Sequence, residues 1–186
     1  MKEKPMTWNA YHRRGEVLST AIATADARLD GRLPTDLDGV RATFADDLDL
    51  LGTLQLRWHT RLSGRIDAAL ATQPLDLEEA VATAWAGTAA DMPGVRAILD
   101  GPAADEIGGH AVRVMAGARA KERAMLAAMA GRSSFDDSVG AVAGAAIEER
   151  ARQLLASGAV GGTARSATTD PGASGLLGRL RAALAA

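Results

Sequence analysis

The sequence predicts an all-α fold: a bundle of about five helices, then a flexible linker and a short amphipathic helix. Three observations carry that prediction. Alanine fills 41 of the 186 positions, whereas Phe, Trp and Tyr together number 6. Alanine loses no side-chain entropy in a helix, and the β-branched and aromatic residues that suit strands are scarce. Apolar residues also recur at steps of three, four and seven, the period of one helix face. Finally, Gly, Pro and capping residues interrupt those stretches where helix ends are expected.

Thr7 is placed to cap a first helix over 8–29, with Tyr11, Val17, Leu18, Ile22, Ala25 and Leu29 on its apolar side. The segment Asp30-Gly31-Arg32-Leu33-Pro34 ends it. A second helix is expected from near Asp38 to Leu70 through Val40, Phe44, Leu48, Leu51, Trp58, Leu62 and Ile66. One stripe of that length marks it as the central helix, and the additional Leu50, Leu54 and Leu56 predict burial on several sides. Asp76 caps a third helix that runs through Val81 and Trp85 to about Asp91, with Glu78 and Glu79 beside its positive end. Pro93 opens a short helix that stops at Gly101-Pro102. A fourth long helix over 103–130 buries Ile107, Val112, Met115, Met125, Leu126 and Met129, although Gly108, Gly109 and Gly117 weaken it. Ser134 is the cap expected for a fifth helix over 135–156, helped by Asp136 and Asp137, and the small residues over 139–146 either permit a close helix approach or leave the helix loosely packed.

Residues 1–6 then read as an extension, 7–156 as the bundle and 157–175 as a flexible linker of Gly, Ala, Ser and Thr. In the final segment, 176–186, Leu176, Leu177, Leu180 and Leu184 share one face, the form of a tethered docking element for a protein partner.

The composition excludes several chemistries. There is no cysteine, so disulfides, thiolate metal sites, iron–sulfur clusters and cysteine nucleophiles are ruled out. A net charge of −2 and a pI near 5.9 argue against nucleic acid as a partner, and any basic site must be local. No stretch reaches the roughly 20 apolar residues of a membrane span, which makes a cytoplasmic protein the expectation. Gly-x-Ser-x-Gly, phosphate-loop and His-Glu-x-x-His patterns are missing, so no cofactor is implied and the chain reads as a non-enzyme.

Two polar segments stand out. Arg57, Arg61 and Arg65 lie four apart on one helix side, so their guanidinium forks can clamp a carboxylate or phosphate, with Arg13 as a further candidate. The competing reading pairs them with Asp47 or other acids, or lays their stems over the core. His12 and Glu16 also share a helix face, and His59 completes a metal or acid–base site if the first two helices pack antiparallel near those positions. The competing reading is a hydrogen-bonded structural histidine. His110 reads as solvated. The Asp46-Asp47-Leu48-Asp49 cluster fits no calcium loop and reads as solvated surface. Trp8, Trp58 and Trp85 read as core anchors.

Tyr11-His12-Arg13-Arg14-Gly15-Glu16-Val17-Leu18, Asp30-Gly31-Arg32-Leu33-Pro34 and Leu54-Gln55-Leu56-Arg57-Trp58-His59-Thr60-Arg61-Leu62-Ser63-Gly64 resemble phrases of uncharacterised actinobacterial helical proteins. The resemblance covers roughly residues 6 to 133 and implies no activity. Leu184-Ala185-Ala186 is similar to the end of the bacterial trans-translation tag, and the tethered Leu/Gly/Arg peptide resembles encapsulin cargo-loading tails.

Two readings follow. In the first the chain is a non-enzymatic interaction or adaptor protein. In the second it is an enzyme or a binding protein, a helical bundle holding a metal or an anionic ligand through His12, Glu16 and His59 or the Arg57, Arg61 and Arg65 stripe. Self-association through the glycine-rich fourth and fifth helices stays open.

Overall fold

Eight helices, and no strand, are found among the described residues of the computed structural model, 8–132 and 138–159. They are α1 (Trp8–Arg28), α2 (Val40–Thr43), α3 (Asp47–Ala71), α4 (Leu77–Asp91), α5 (Pro93–Asp100), α6 (Ala103–Ile107), α7 (Gly109–Met129) and α8 (Ser138–Ala156). The all-α prediction therefore holds, with more breaks than the sequence reading placed. Ser134 and the start predicted for the fifth helix lie outside the described residues, as does nearly all of the predicted linker and the whole peptide with Leu176, Leu177, Leu180 and Leu184.

The first helix ends one residue early. Leu29 takes a left-handed conformation (φ 53°) and is 56% exposed rather than part of the apolar seam. The second predicted helix is two, α2 and α3, because Phe44 is extended (φ −105°, ψ 138°). That extension puts the Phe44 ring into the core beneath the Arg14 guanidinium, 4.5 Å from the ring centre. Asp46 then caps α3, accepting the Asp49 N–H at 2.7 Å. The fourth predicted helix also splits, at Gly108, whose φ of +126° is accessible to glycine and strained for other residues. Val112, predicted buried, is 38% exposed, and Leu56, predicted within the thick part of the core, is 64% exposed. Asp76 caps α4 as predicted, accepting from the Glu79 N–H at 2.9 Å.

Of the two helices at the centre, α4 is more enclosed than the longer α3. Eight of its 15 residues are buried against six of 25 in α3. Its alanines and Gly87 are small on every face, so α3, α7 and α8 all close upon it. Leu50, Leu51, Leu54, Trp58, Leu62 and Ile66 of α3 share one core with Val81 and Trp85 of α4, Leu126 of α7 and Ile147 of α8. Two glycines set how closely the outer helices approach. A Cβ on Gly94 of α5 would lie 2.0 Å from the Ala25 carbonyl carbon of α1, and one on Gly144 of α8 would lie 1.9 Å from the Arg123 carbonyl oxygen of α7. Of the two alternatives for the small residues over 139–146, close approach and loose packing, the contact at Gly144 is the close approach.

Candidate functional site

Where α3, α4, α5 and α7 converge, two indoles meet a buried carboxylate. Trp58 and Trp85 are fully buried and pack edge to face, with ring centres 5.5 Å apart at 75°. A buried indole N–H needs an acceptor. Both find it on Glu122 of α7: Trp58 Nε1 donates to Oε2 and Trp85 Nε1 to Oε1, each at 2.9 Å. Glu122 is only 5% exposed. Its charge is balanced by Arg96 of α5, whose guanidinium lies 4.7 Å from the Trp58 ring centre and 5.5 Å from that of Trp85.

Arg96 extends the cluster outward. Its Nε and Nη2 donate as a fork to Asp100 at 2.9 and 2.5 Å, while its Nη1 stands 3.6 Å from Glu122 Oε1, beyond hydrogen-bond reach. Asp100 also accepts from Arg119 at 2.8 Å and from Arg152 at 2.9 and 3.2 Å. Arg152 reaches Glu148 at 2.7 Å, and Glu148 takes Arg123 Nε at 2.7 Å. Four guanidiniums (Arg96, Arg119, Arg123, Arg152) thus face three carboxylates (Asp100, Glu122, Glu148), a net charge of +1.

Two acids of this network, Asp100 and Glu148, are held in the ionised form by their arginine partners. Burial pushes the Asp100 carboxyl up, but the hydrogen bond from Arg152 and the charge and bonds of Arg96 outweigh it and hold the group below its ordinary range. Burial likewise pushes Glu148 up, and bonds from Arg123 and Arg152 bring it below its usual value. The Arg152 guanidinium is raised, chiefly by its bond to Asp100.

A cleft of about 480 Å³ opens against this network. Arg96, Arg119 and Arg123 contribute its basic lining, and Leu99, Val112 and Met115 its apolar lining. The side chains of Arg119 and Arg123 are 43% and 36% exposed, so solvent and small solutes reach them.

The residues singled out from sequence lie elsewhere. The stripe on α3 exists, but Arg61 and Arg65 share one acid, Asp91, at 3.1 and 2.5 Å. Arg57 is exposed with no ion-pair partner among the described residues, Arg13 is exposed on α1, and none of the four lines the cleft. His12 and Glu16 are on α1 and His59 on α3. Helix α1 packs on α5 and α2, and it meets the start of α3 through Arg14, bonded to Asp49 and Thr53. Among the described residues no three His, Asp or Glu side chains are grouped to hold a metal ion, so the expected His12, Glu16 and His59 trio is not assembled. The acidic cluster is more than solvated surface. Asp46 is a cap, and Asp49, held below its ordinary pKa first by the Arg14 bond, ties α3 to α1.

Sequence reasoning passed over Arg96, Asp100, Arg119, Glu122, Arg123, Glu148 and Arg152. Two signals were present. Glu122 falls four before Leu126 and seven after Met115, on the apolar period of its helix, where an acid is out of place. Arg96 and Asp100, and Glu148 and Arg152, are each four apart. No protein-family model, curated protein or solved structure matches the chain. The functional reading therefore stands on this geometry.

Proposed function

We propose that this protein is a non-catalytic binding protein whose helical bundle takes a small anionic ligand in the cleft between α5, α6 and α7. The observation that carries the reading is the pairing of Arg119 and Arg123, partly exposed and fixed by Asp100 and Glu148, with an adjoining apolar wall of Leu99, Val112 and Met115. Guanidiniums held in place by carboxylates are preorganised donors, and ligand sites typically combine apolar walls with a few fixed polar groups. Carboxylates held below their ordinary pKa stay ionised at neutral pH and are weak bases, which favours electrostatic recognition over proton transfer. The anionic-ligand reading of the sequence thus moves from the Arg57, Arg61 and Arg65 stripe to this cleft.

The test is thermal unfolding of the full chain with sodium acetate, inorganic phosphate or sodium octanoate at constant ionic strength. A ligand that binds the native state raises the melting temperature with its concentration. At least one of the three is expected to do so in the wild type and to fail in Ala120→Leu, which fills the cleft from an exposed position on α7. No response to any of them, or a response unchanged in Ala120→Leu, overturns the reading.

A further inference from the structure

The cleft's charge and lining define which anion fits. The charged lining is three guanidiniums, Arg96, Arg119 and Arg123, against three carboxylates, Asp100, Asp105 and Glu122, so the cleft has room for one negative charge on its guanidinium side and no surplus for a second. A second charge would face Asp100 and Glu122, which line the same cleft, and Asp105, exposed at its edge. Arg96 adds a specific donor. Its side chain is nine-tenths buried and lines the cleft, and its Nη1 has no hydrogen-bond acceptor within reach among the described residues. A buried guanidinium edge lacking an acceptor is costly, and a planar carboxylate fits it. Apart from Gln55 and Gly101, the remaining lining is aliphatic: Leu99, Val112 and Met115 are joined there by alanine side chains along α6, α7 and α8.

We infer that the cleft binds an amphipathic monocarboxylate, its carboxylate against Arg96, Arg119 and Arg123 and its aliphatic body along Leu99, Val112 and Met115. This rests on the proposed binding function and narrows it to one ligand class. The two indoles give a direct readout, because Trp58 and Trp85 both bond to Glu122 at the cleft's inner wall.

The experiment is a fluorescence titration of the full chain carrying Trp8→Phe, so that Trp58 and Trp85 alone report. The probes are sodium octanoate, sodium acetate, inorganic phosphate and 1-octanol, each below its aggregation limit. Octanoate is expected to saturate the change, with acetate and phosphate at least about tenfold weaker because they leave the aliphatic wall uncovered or add charge. Octanol is expected to be weaker by a similar factor for want of a charge-assisted bond. Arg123→Gln should cost octanoate about tenfold, and Val112→Asp should weaken octanoate more than acetate. Val112 is partly exposed, so that second variant removes the apolar wall without opening the core.

Octanol matching octanoate would overturn the carboxylate assignment. Phosphate binding more tightly than octanoate, and losing its affinity in Ala120→Leu, would overturn the monocarboxylate class while leaving the binding function standing. Failure of all four probes, with no shift in melting temperature, would remove both.

Discussion

At the scale of single residues, Glu122 is the side chain on which most depends. It is the acceptor for two buried indoles and the counter-charge of a buried guanidinium. Glu122→Ala should lower unfolding free energy by about 3–5 kcal/mol, the range for stripping one partner from a buried ion pair. Glu122→Gln should cost less, because its amide oxygen still accepts one indole N–H. Urea denaturation of both variants checks the order. The acids around it also predict a pH dependence. Asp100 and Glu148 have folded pKa values below their unfolded ones, so the native state binds fewer protons than the unfolded chain. Their stabilisation is complete above the ordinary carboxylate range and fades as pH falls through it toward the lower folded values. Melting temperature measured between pH 7 and pH 3 should fall most steeply below about pH 4.5, and Asp100→Asn should flatten that fall. Little of this was legible in the sequence. Trp58 and Trp85 read correctly as core anchors, yet an indole's acceptor 64 positions away leaves no mark on local periodicity. The arginines of α3 are conspicuous in sequence because they are consecutive on one face, which is where solvated charges collect.

At the scale of elements, glycines separate into two kinds. Gly94 and Gly144 are places where two backbones touch, and alanine at either would push a methyl group into the carbonyl of a neighbouring helix. Gly94→Ala and Gly144→Ala should each destabilise by about 1–3 kcal/mol or more, as overpacking does. Gly52 and Gly64, within α3, have no atom within 4 Å of the point where an alanine methyl would sit, and both are exposed. There Gly→Ala should stabilise by about 0.5–1 kcal/mol through the entropy of the unfolded chain. Denaturation midpoints of the four variants would show opposite signs for the two pairs. Helix existence and the Asp76 and Pro93 starts were legible because capping and ring chemistry are local. The breaks at Phe44 and Gly108 were not, since a periodic stripe continues across a bend whenever the core lies on the same side of both pieces.

At the scale of the molecule, one core joins residues from α1 to α8, and both described indole side chains sit in it. Tryptophan fluorescence and far-ultraviolet dichroism should therefore report one coincident urea transition, and two separated midpoints would show that the helices unfold in independent groups. Among the described residues no helix is long and apolar enough to cross a membrane. The all-α class was legible because alanine content and helical period act over the whole chain, whereas the crowding around α4 follows from which faces are small enough to be covered on all sides. The two glycine crossings also bear on ancestry. A diverged chain that keeps these helix contacts can exchange its exposed alanines and surface arginines, but it must retain a residue without a side chain at the positions of Gly94 and Gly144. Spaced glycines combined with two tryptophans and an acid on an apolar helix face thus form a signature by which distant kin can be sought after overall identity has eroded.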